Sequence, residues 1–210
     1  MIKILIADDH RIVREGLKQI LAETPDMVVA DEASNGQEVM EKIWENDYDV
    51  LLLDISMPGR SGLDILKQLK SERPKIAVLV LSMYSEEQYA MRALRAGASG
   101  YMTKESAPDE LIDAIRKVSK GRKYISPTVA EKLAFSLEVG DERPPHETLS
   151  DREFQVMCMI ASGRTIKDIS TELSLSVKTV STYRTRILEK MRMRNNAELT
   201  HYAIQNRLVE

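Results

Sequence analysis

The sequence predicts a doubly wound α/β domain with a five-stranded parallel sheet, followed by an all-helical segment. Three observations lead there. Apolar runs rich in Val, Ile and Leu alternate five times with amphipathic helical stretches up to residue 120. The central run, Val50-Leu51-Leu52-Leu53, is apolar without interruption, as a strand covered on both faces must be. Past a polar, proline-bearing stretch near residue 140 the β-type runs cease, and helical periodicity with short breaks continues to Val209.

Strands are expected at 3–7, 28–32, 50–53, 77–81 and, briefly, 100–102. Helices are expected at 11–22, 36–45, 63–72, 86–96 and 108–120, with Gly59, Gly62, Gly97 and Gly100 as turn and backbone-clearance positions. The next segment holds one helix, 127–137, opened by Pro127 at a position where the missing N–H costs nothing. Residues 140–146 include two consecutive prolines, cannot continue that helix and read as a linker. Ser150, with Glu153 three residues on, starts a new helix, and Ser162-Gly163-Arg164 interrupts it. The expected organisation is a first domain over 1–120, a linker over 121–147 and a second domain over 148–210.

With 210 residues, 43% of them hydrophobic, the chain can bury two cores. The formal net charge of -3 conceals an asymmetry: acids crowd the first part, whereas Lys178, Arg184, Arg186, Lys190, Arg192 and Arg194 form a late basic stretch opposed by Glu189. A basic stripe in an acidic protein suits either a solvated helix face or a nucleic-acid contact. The single cysteine, Cys158, excludes an intrachain disulfide and lies in an apolar run where a buried thiol is expected. Asp8 and Asp9 break the N-terminal apolar run before it could serve as a signal peptide, and no uncharged apolar run approaches membrane-spanning length. A soluble, cytoplasmic protein is expected.

Asp8 and Asp9 end the first strand and Asp54 ends the third. In a doubly wound sheet, ligands bind outside those carboxyl ends. Three carboxylates converging there repel one another unless a cation joins them, and Mg2+ suits oxygen ligands that must also accept phosphate oxygens. Ser82 ends the fourth strand and Lys104 follows the fifth, on the same edge. A phosphoryl group carried by Asp54 would have its charge balanced by Mg2+ and the Lys104 ammonium, with the Ser82 hydroxyl as a donor. Singly, each has a plainer reading: the Asp pair or Ser82 as helix caps, Lys104 as a surface charge, Tyr101 as a half-buried strand residue, His10 as a bystander. Their joint placement carries the inference. A phosphatase that turns over its own aspartyl phosphate wants a second Asp two residues past the nucleophile, where this chain has Ser56, and no Gly-x-Gly-x-x-Gly follows the first strand.

In the helical part, Ile166, Ile169 and Leu173 share one side of a helix, and a short turn, Ser174-Leu175-Ser176, leads to a second over 177–191. That helix is expected to bury Val180, Ile187, Leu188 and part of Tyr183 while exposing Lys178, Ser181, Thr182, Thr185 and Arg186. Two helices joined so tightly, the second with small hydroxyls flanked by cations, fit a helix-turn-helix.

Asp8-Asp9, Asp54 followed by Met57-Pro58-Gly59, Ser82 and Lys104 resemble the receiver domain of two-component response regulators. The block 149–208, with Leu149-Ser150, Arg152-Glu153, Gly163, Ile166, Ile169, Leu173, Lys178-Thr179-Val180, Arg186 and Lys190-Met191, resembles the four-helix LuxR-type module of the NarL/FixJ family, and its tail, 195–204, resembles a group of global regulators within it. The resemblance implies a flavodoxin-like receiver in which Asp54 is the phosphoacceptor, with Mg2+ held by Asp8, Asp9, Asp54 and the backbone carbonyl of Ser56, and with Ser82 and Tyr101 as the switch pair. It also implies base contacts from Ser181, Thr182 and Thr185, phosphate contacts from Lys178, Arg184, Arg186 and Lys190, and a dimer surface on the last helix. The implied partners are a sensor histidine kinase, double-stranded promoter DNA and a second copy of the chain after phosphorylation. One departure is Glu105, where many receivers have a proline; it leaves the isomer of that peptide bond open.

Overall fold

The computed structural model describes residues 1–138 and 144–209, with backbone alone for residues 87, 88, 132 and 135–138. The linker expected at 140–146 thus lies outside the described residues over 140–143. The chain divides into two compact units, Met1–Glu131 and Lys132–Glu210.

In the first unit the strands are β1 (Ile2–Ala7), β2 (Met27–Ala33), β3 (Val50–Asp54), β4 (Ala77–Ser82) and β5 (Gly100–Thr103). They alternate with helices α1 (Arg11–Ala22), α2 (Gly36–Glu45), α3 (Gly62–Glu72), α4 (Glu86–Arg95) and α5 (Pro108–Ser119). The sheet runs β2-β1-β3-β4-β5, with every pairing parallel. Strand order reverses between β1 and β3, so the carboxyl ends of those two strands flank the crevice where ligands of such sheets bind. Side chains alternate faces along each strand. One face packs Ile4, Ile6, Leu52, Leu79 and Leu81 with Leu17, Leu21, Leu111 and Ile115 of α1 and α5. Leu5, Leu51, Leu53, Val78 and Val80 are equally buried. This explains why β3 and β4 read as unbroken apolar runs.

Gly62 shows how tightly α3 is set against β3. A Cβ there would lie 2.5 Å from the Ile55 Cα and 2.7 Å from the Asp54 carbonyl oxygen. The bond after Lys104 is trans, like every peptide bond among the described residues.

Helix α6 (Pro127–Glu138) spans the division between the units, and the second unit continues with a 3-10 turn, Pro145–Thr148. Then follow α7 (Asp151–Ala161), α8 (Ile166–Glu172), α9 (Val177–Met191) and α10 (Asn196–Gln205). Both Ser150 with Glu153 and Thr165 with Asp168 form reciprocal capping boxes, and Ser176 and Asn195 cap α9 and α10. Helix α7 packs against α8, α9 and α10, and Phe154, Met157 and Cys158 are buried on it. No helix among the described residues is long and apolar enough to cross a membrane.

Candidate functional site

Strand ends deliver the carboxylates. Asp8 lies just beyond β1 and Asp54 is the last residue of β3; both are buried, Asp8 2% and Asp54 1% exposed. The Lys104 ammonium, carried in just past β5, lies 2.7 Å from Asp8 Oδ2 and 2.6 Å from Asp54 Oδ2. The Lys104 backbone N–H donates to the Ser82 carbonyl at 2.8 Å, which pins the loop after β5 to the end of β4. The other Asp54 oxygen, Oδ1, accepts from the Ser56 N–H at 2.9 Å. Burial pushes the Asp54 carboxyl up from the usual carboxylate range, and the Lys104 charge and the Ser56 N–H oppose that rise. Burial works against the Lys104 charge as well, but Asp54 and Asp8 more than offset it and hold the ammonium protonated.

Asp9 is partly exposed, yet its Oδ1 is buried without a hydrogen-bond partner. Ligand atoms of Asp8, Asp9, His10 and Asp54 all lie within 4.8 Å of one another. An oxygen-seeking divalent cation fits this set: hard carboxylate donors, converging, one of them with a buried oxygen that accepts no hydrogen bond.

Ser82 and Tyr101 meet at one residue. The Ser82 Oγ accepts from the Tyr84 N–H at 3.1 Å, and the Tyr101 hydroxyl donates to the Tyr84 carbonyl at 2.8 Å. Tyr101 is an inward ring, 3% exposed, and burial raises its pKa so that it stays a neutral phenol. Tyr84 itself stacks on Tyr89 of α4, with ring centroids 4.8 Å apart.

Two supports of the pocket were not found by sequence reasoning. Arg14 of α1 donates through Nη1 to the Asp8 carbonyl at 2.7 Å and through Nε to Glu32 at 3.0 Å, fixing the turn that carries the Asp pair. The signal was available as an Arg one turn into α1 and a Glu near the end of the neighbouring strand. The expected helix-cap role of the Asp pair is small: Asp8 Oδ1 accepts from the His10 N–H at 2.8 Å, ahead of the helix.

In the second unit, α8 and α9 are joined across Leu173-Ser174-Leu175-Ser176. Ser174 takes a left-handed conformation, φ 53°, and the Leu175 N–H bonds back to the Ser170 carbonyl at 2.9 Å, closing α8 sharply. Helix α9 buries Val180 and Ile187 and exposes Lys178, Ser181, Thr182, Thr185 and Arg186. The Thr182 and Thr185 hydroxyls donate back to the Lys178 and Ser181 carbonyls, at 2.9 and 3.2 Å, so their lone pairs face outward as acceptors. Two of the expected phosphate contacts are engaged elsewhere. Lys190 Nζ reaches Glu153 of α7 at 2.6 Å, and Arg184 Nε donates to Asn196 of α10 at 2.7 Å. The Lys178 ammonium and the Arg186 guanidinium make no hydrogen bond or ion pair among the described residues.

Two family models match the chain: "Response regulator receiver domain" over residues 4–116 and "Bacterial regulatory proteins, luxR family" over residues 147–203. Response regulator UvrY of Escherichia coli strain K12 is 37% identical over 209 residues, 99% of this chain and 96% of its own length. Response regulator GacA of Pseudomonas aeruginosa is 39% identical over 211 residues, 100% of this chain and 99% of its own. Among solved structures, RcsB from Salmonella enterica serovar Typhimurium, bound to promoter rprA with the phosphomimetic BeF3-, superposes with a TM-score of 0.65 at 27% identity. That match covers 96% of this chain and 98% of the other.

Proposed function

The chain belongs to the response regulators of two-component systems, with a receiver domain followed by a LuxR-type DNA-binding domain, and from that membership we propose that Asp54 takes a phosphoryl group from a sensor histidine kinase and thereby controls promoter binding by α9. The observation that carries the reading is the Lys104 ammonium seated between two almost fully buried carboxylates, Asp54 and Asp8. Such a group can answer the charge of a phosphoryl without reorganising.

An Asp54 carboxylate oxygen attacks phosphorus, and the donor's imidazole, or the acetate of acetyl phosphate, leaves with the bonding pair. Asp8, Asp9, Asp54 and the Ser56 backbone carbonyl are the residues that would hold Mg2+, which would neutralise phosphoryl oxygens when bound. Lys104, the phosphoacceptor's neighbour already, keeps an N–H for the new anion. Ser82 has a hydroxyl proton to donate to it, at the expense of its bond from the Tyr84 N–H. Because the Tyr101 hydroxyl holds the carbonyl of the same residue, movement of Ser82 reaches β5 and α4 through Tyr84. Ser56 offers no acid or base for rapid hydrolysis, so the acyl phosphate is stored and any turnover is slow.

In the DNA-binding domain, α9 enters the major groove with Ser181, Thr182 and Thr185 toward base edges and Lys178 and Arg186 toward phosphates. Arg184 and Lys190 contribute less, being held by Asn196 and Glu153. Helix α10, on which Ile204 is 53% exposed, supplies the dimer surface, so that two copies address two half-sites about one DNA turn apart. The protein works in the cytoplasm, where kinase and promoter are both accessible.

Mass spectrometry of intact protein after acetyl phosphate treatment tests the pocket. The wild type should gain one phosphoryl group with Mg2+ and little with chelator, and Asp54→Asn should gain none. Equal uptake by both proteins would refute the assignment.

A further inference from the structure

We propose that His10 is a fourth side chain of the cation site and tilts it toward transition-metal ions, such as Co2+, relative to Mg2+. The inference rests on reading the acidic pocket as a cation site and adds a nitrogen donor to it.

His10 Nδ1 lies 3.0 Å from Asp9 Oδ1 and 3.4 Å from Asp8 Oδ1. Asp9 Oδ1 nevertheless has no hydrogen-bond partner, so the close approach is not an N–H pointing at an oxygen. Two adjacent ligand atoms of a six-coordinate ion with bonds of about 2.1 Å sit about 3.0 Å apart. The spacing is therefore that of two neighbouring ligand atoms on one ion. The local backbone accounts for it. His10 precedes α1 in an extended conformation, its N–H is taken by Asp8 Oδ1 at 2.8 Å, and its ring makes no capping bond to the helix. Nδ1 is left facing the pocket carboxylates, on a side chain that is 62% exposed. Asp8 presents its second oxygen to Lys104 instead, so the ammonium and the imidazole approach that carboxylate through different atoms.

Imidazole binds later first-row divalent ions in preference to Mg2+, which favours oxygen and water. A protonated His10 paired with Asp9 makes the opposite prediction, because such a cation competes with every metal ion alike.

Calorimetric titration of the full-length protein with Mg2+ and, separately, Co2+ at about pH 8, where a free imidazole is neutral, distinguishes the two. Wild type, His10→Ala and Asp9→Asn are compared, the last reporting Co2+ held elsewhere by His146 or His201. His10→Ala should lower the ratio of Co2+ to Mg2+ affinity about tenfold. An unchanged ratio, or an equal gain for both ions, overturns the role of His10. If the wild type binds neither ion at a site lost in Asp9→Asn, the reading of the pocket as a cation site fails, and this inference with it.

Discussion

Lys104 pairs with both buried carboxylates of the receiver pocket from a single position, 2.7 Å from Asp8 and 2.6 Å from Asp54. Removing one member of a buried ionic set leaves charge without compensation. Lys104→Met should therefore lower the receiver's stability by about 3 kcal/mol in the absence of divalent cations, and Mg2+ should restore part of it. Thermal melts with and without Mg2+ check this; a variant as stable as wild type without the ion would contradict it. Glu153 plays a comparable part in the second unit. Burial alone would raise its pKa, but Lys190 and the Ser150 N–H and hydroxyl overcome that and hold it below the ordinary glutamate value. A depressed folded-state pKa adds stability that is complete above the unfolded value and is lost as pH falls through the folded one. The DNA-binding module should accordingly lose stability below about pH 4.5, with a shallower acid limb in Glu153→Gln, in which the charge is already missing. Circular dichroism melts of both proteins across that range measure it. These pairings were not legible beforehand: Asp54 and Lys104 could be placed on one sheet edge, but that Lys190 turns toward Glu153 rather than outward depends on how α7 packs on α9.

At the scale of elements, the pocket depends on how closely α3 lies against β3. Gly62→Ala would drive a Cβ into the Ile55 backbone and the Asp54 carbonyl, and neither can yield as a flexible side chain would. We expect about 2 kcal/mol of destabilisation, read by urea unfolding, together with slower phosphoryl uptake. Gly62 was recognisable as a clearance position from the sequence, but the group it clears was not. Helix α9 behaves as a face: Lys178→Ala and Arg186→Ala should weaken binding to all DNA sequences alike and each reduce the slope of log affinity against log salt by about one. Lys190→Ala should change that slope less, because its ammonium is engaged by Glu153. Filter-binding or anisotropy titrations at several salt concentrations separate these cases, and a Lys190 effect as large as that of Arg186 would contradict the division. Periodicity located α8 and α9 because burial of Ile169, Leu173, Val180 and Ile187 follows from spacing. It could not show the left-handed turn at Ser174, since hydrophobic spacing carries no mark of that conformation and serine takes it at a steric cost.

The whole molecule joins two compact units of opposite electrostatic character in their working parts: an acidic pocket at the strand ends of one and exposed cations on α9 of the other. Each unit's fold followed from pattern, the parallel sheet from five β-α alternations and the module from its caps and breaks. Coupling between units is a property of an equilibrium and has no local sequence signature. In the proposed mechanism it starts at Asp54 and is read out at α9. The direct test is equilibrium binding of promoter DNA by full-length wild type and Asp54→Asn, each with and without acetyl phosphate and Mg2+. Acetyl phosphate should strengthen wild-type binding about tenfold or more and leave Asp54→Asn at the unphosphorylated level. Equal affinity for both proteins under both conditions, with phosphorylation of the wild type verified, would contradict phosphorylation control.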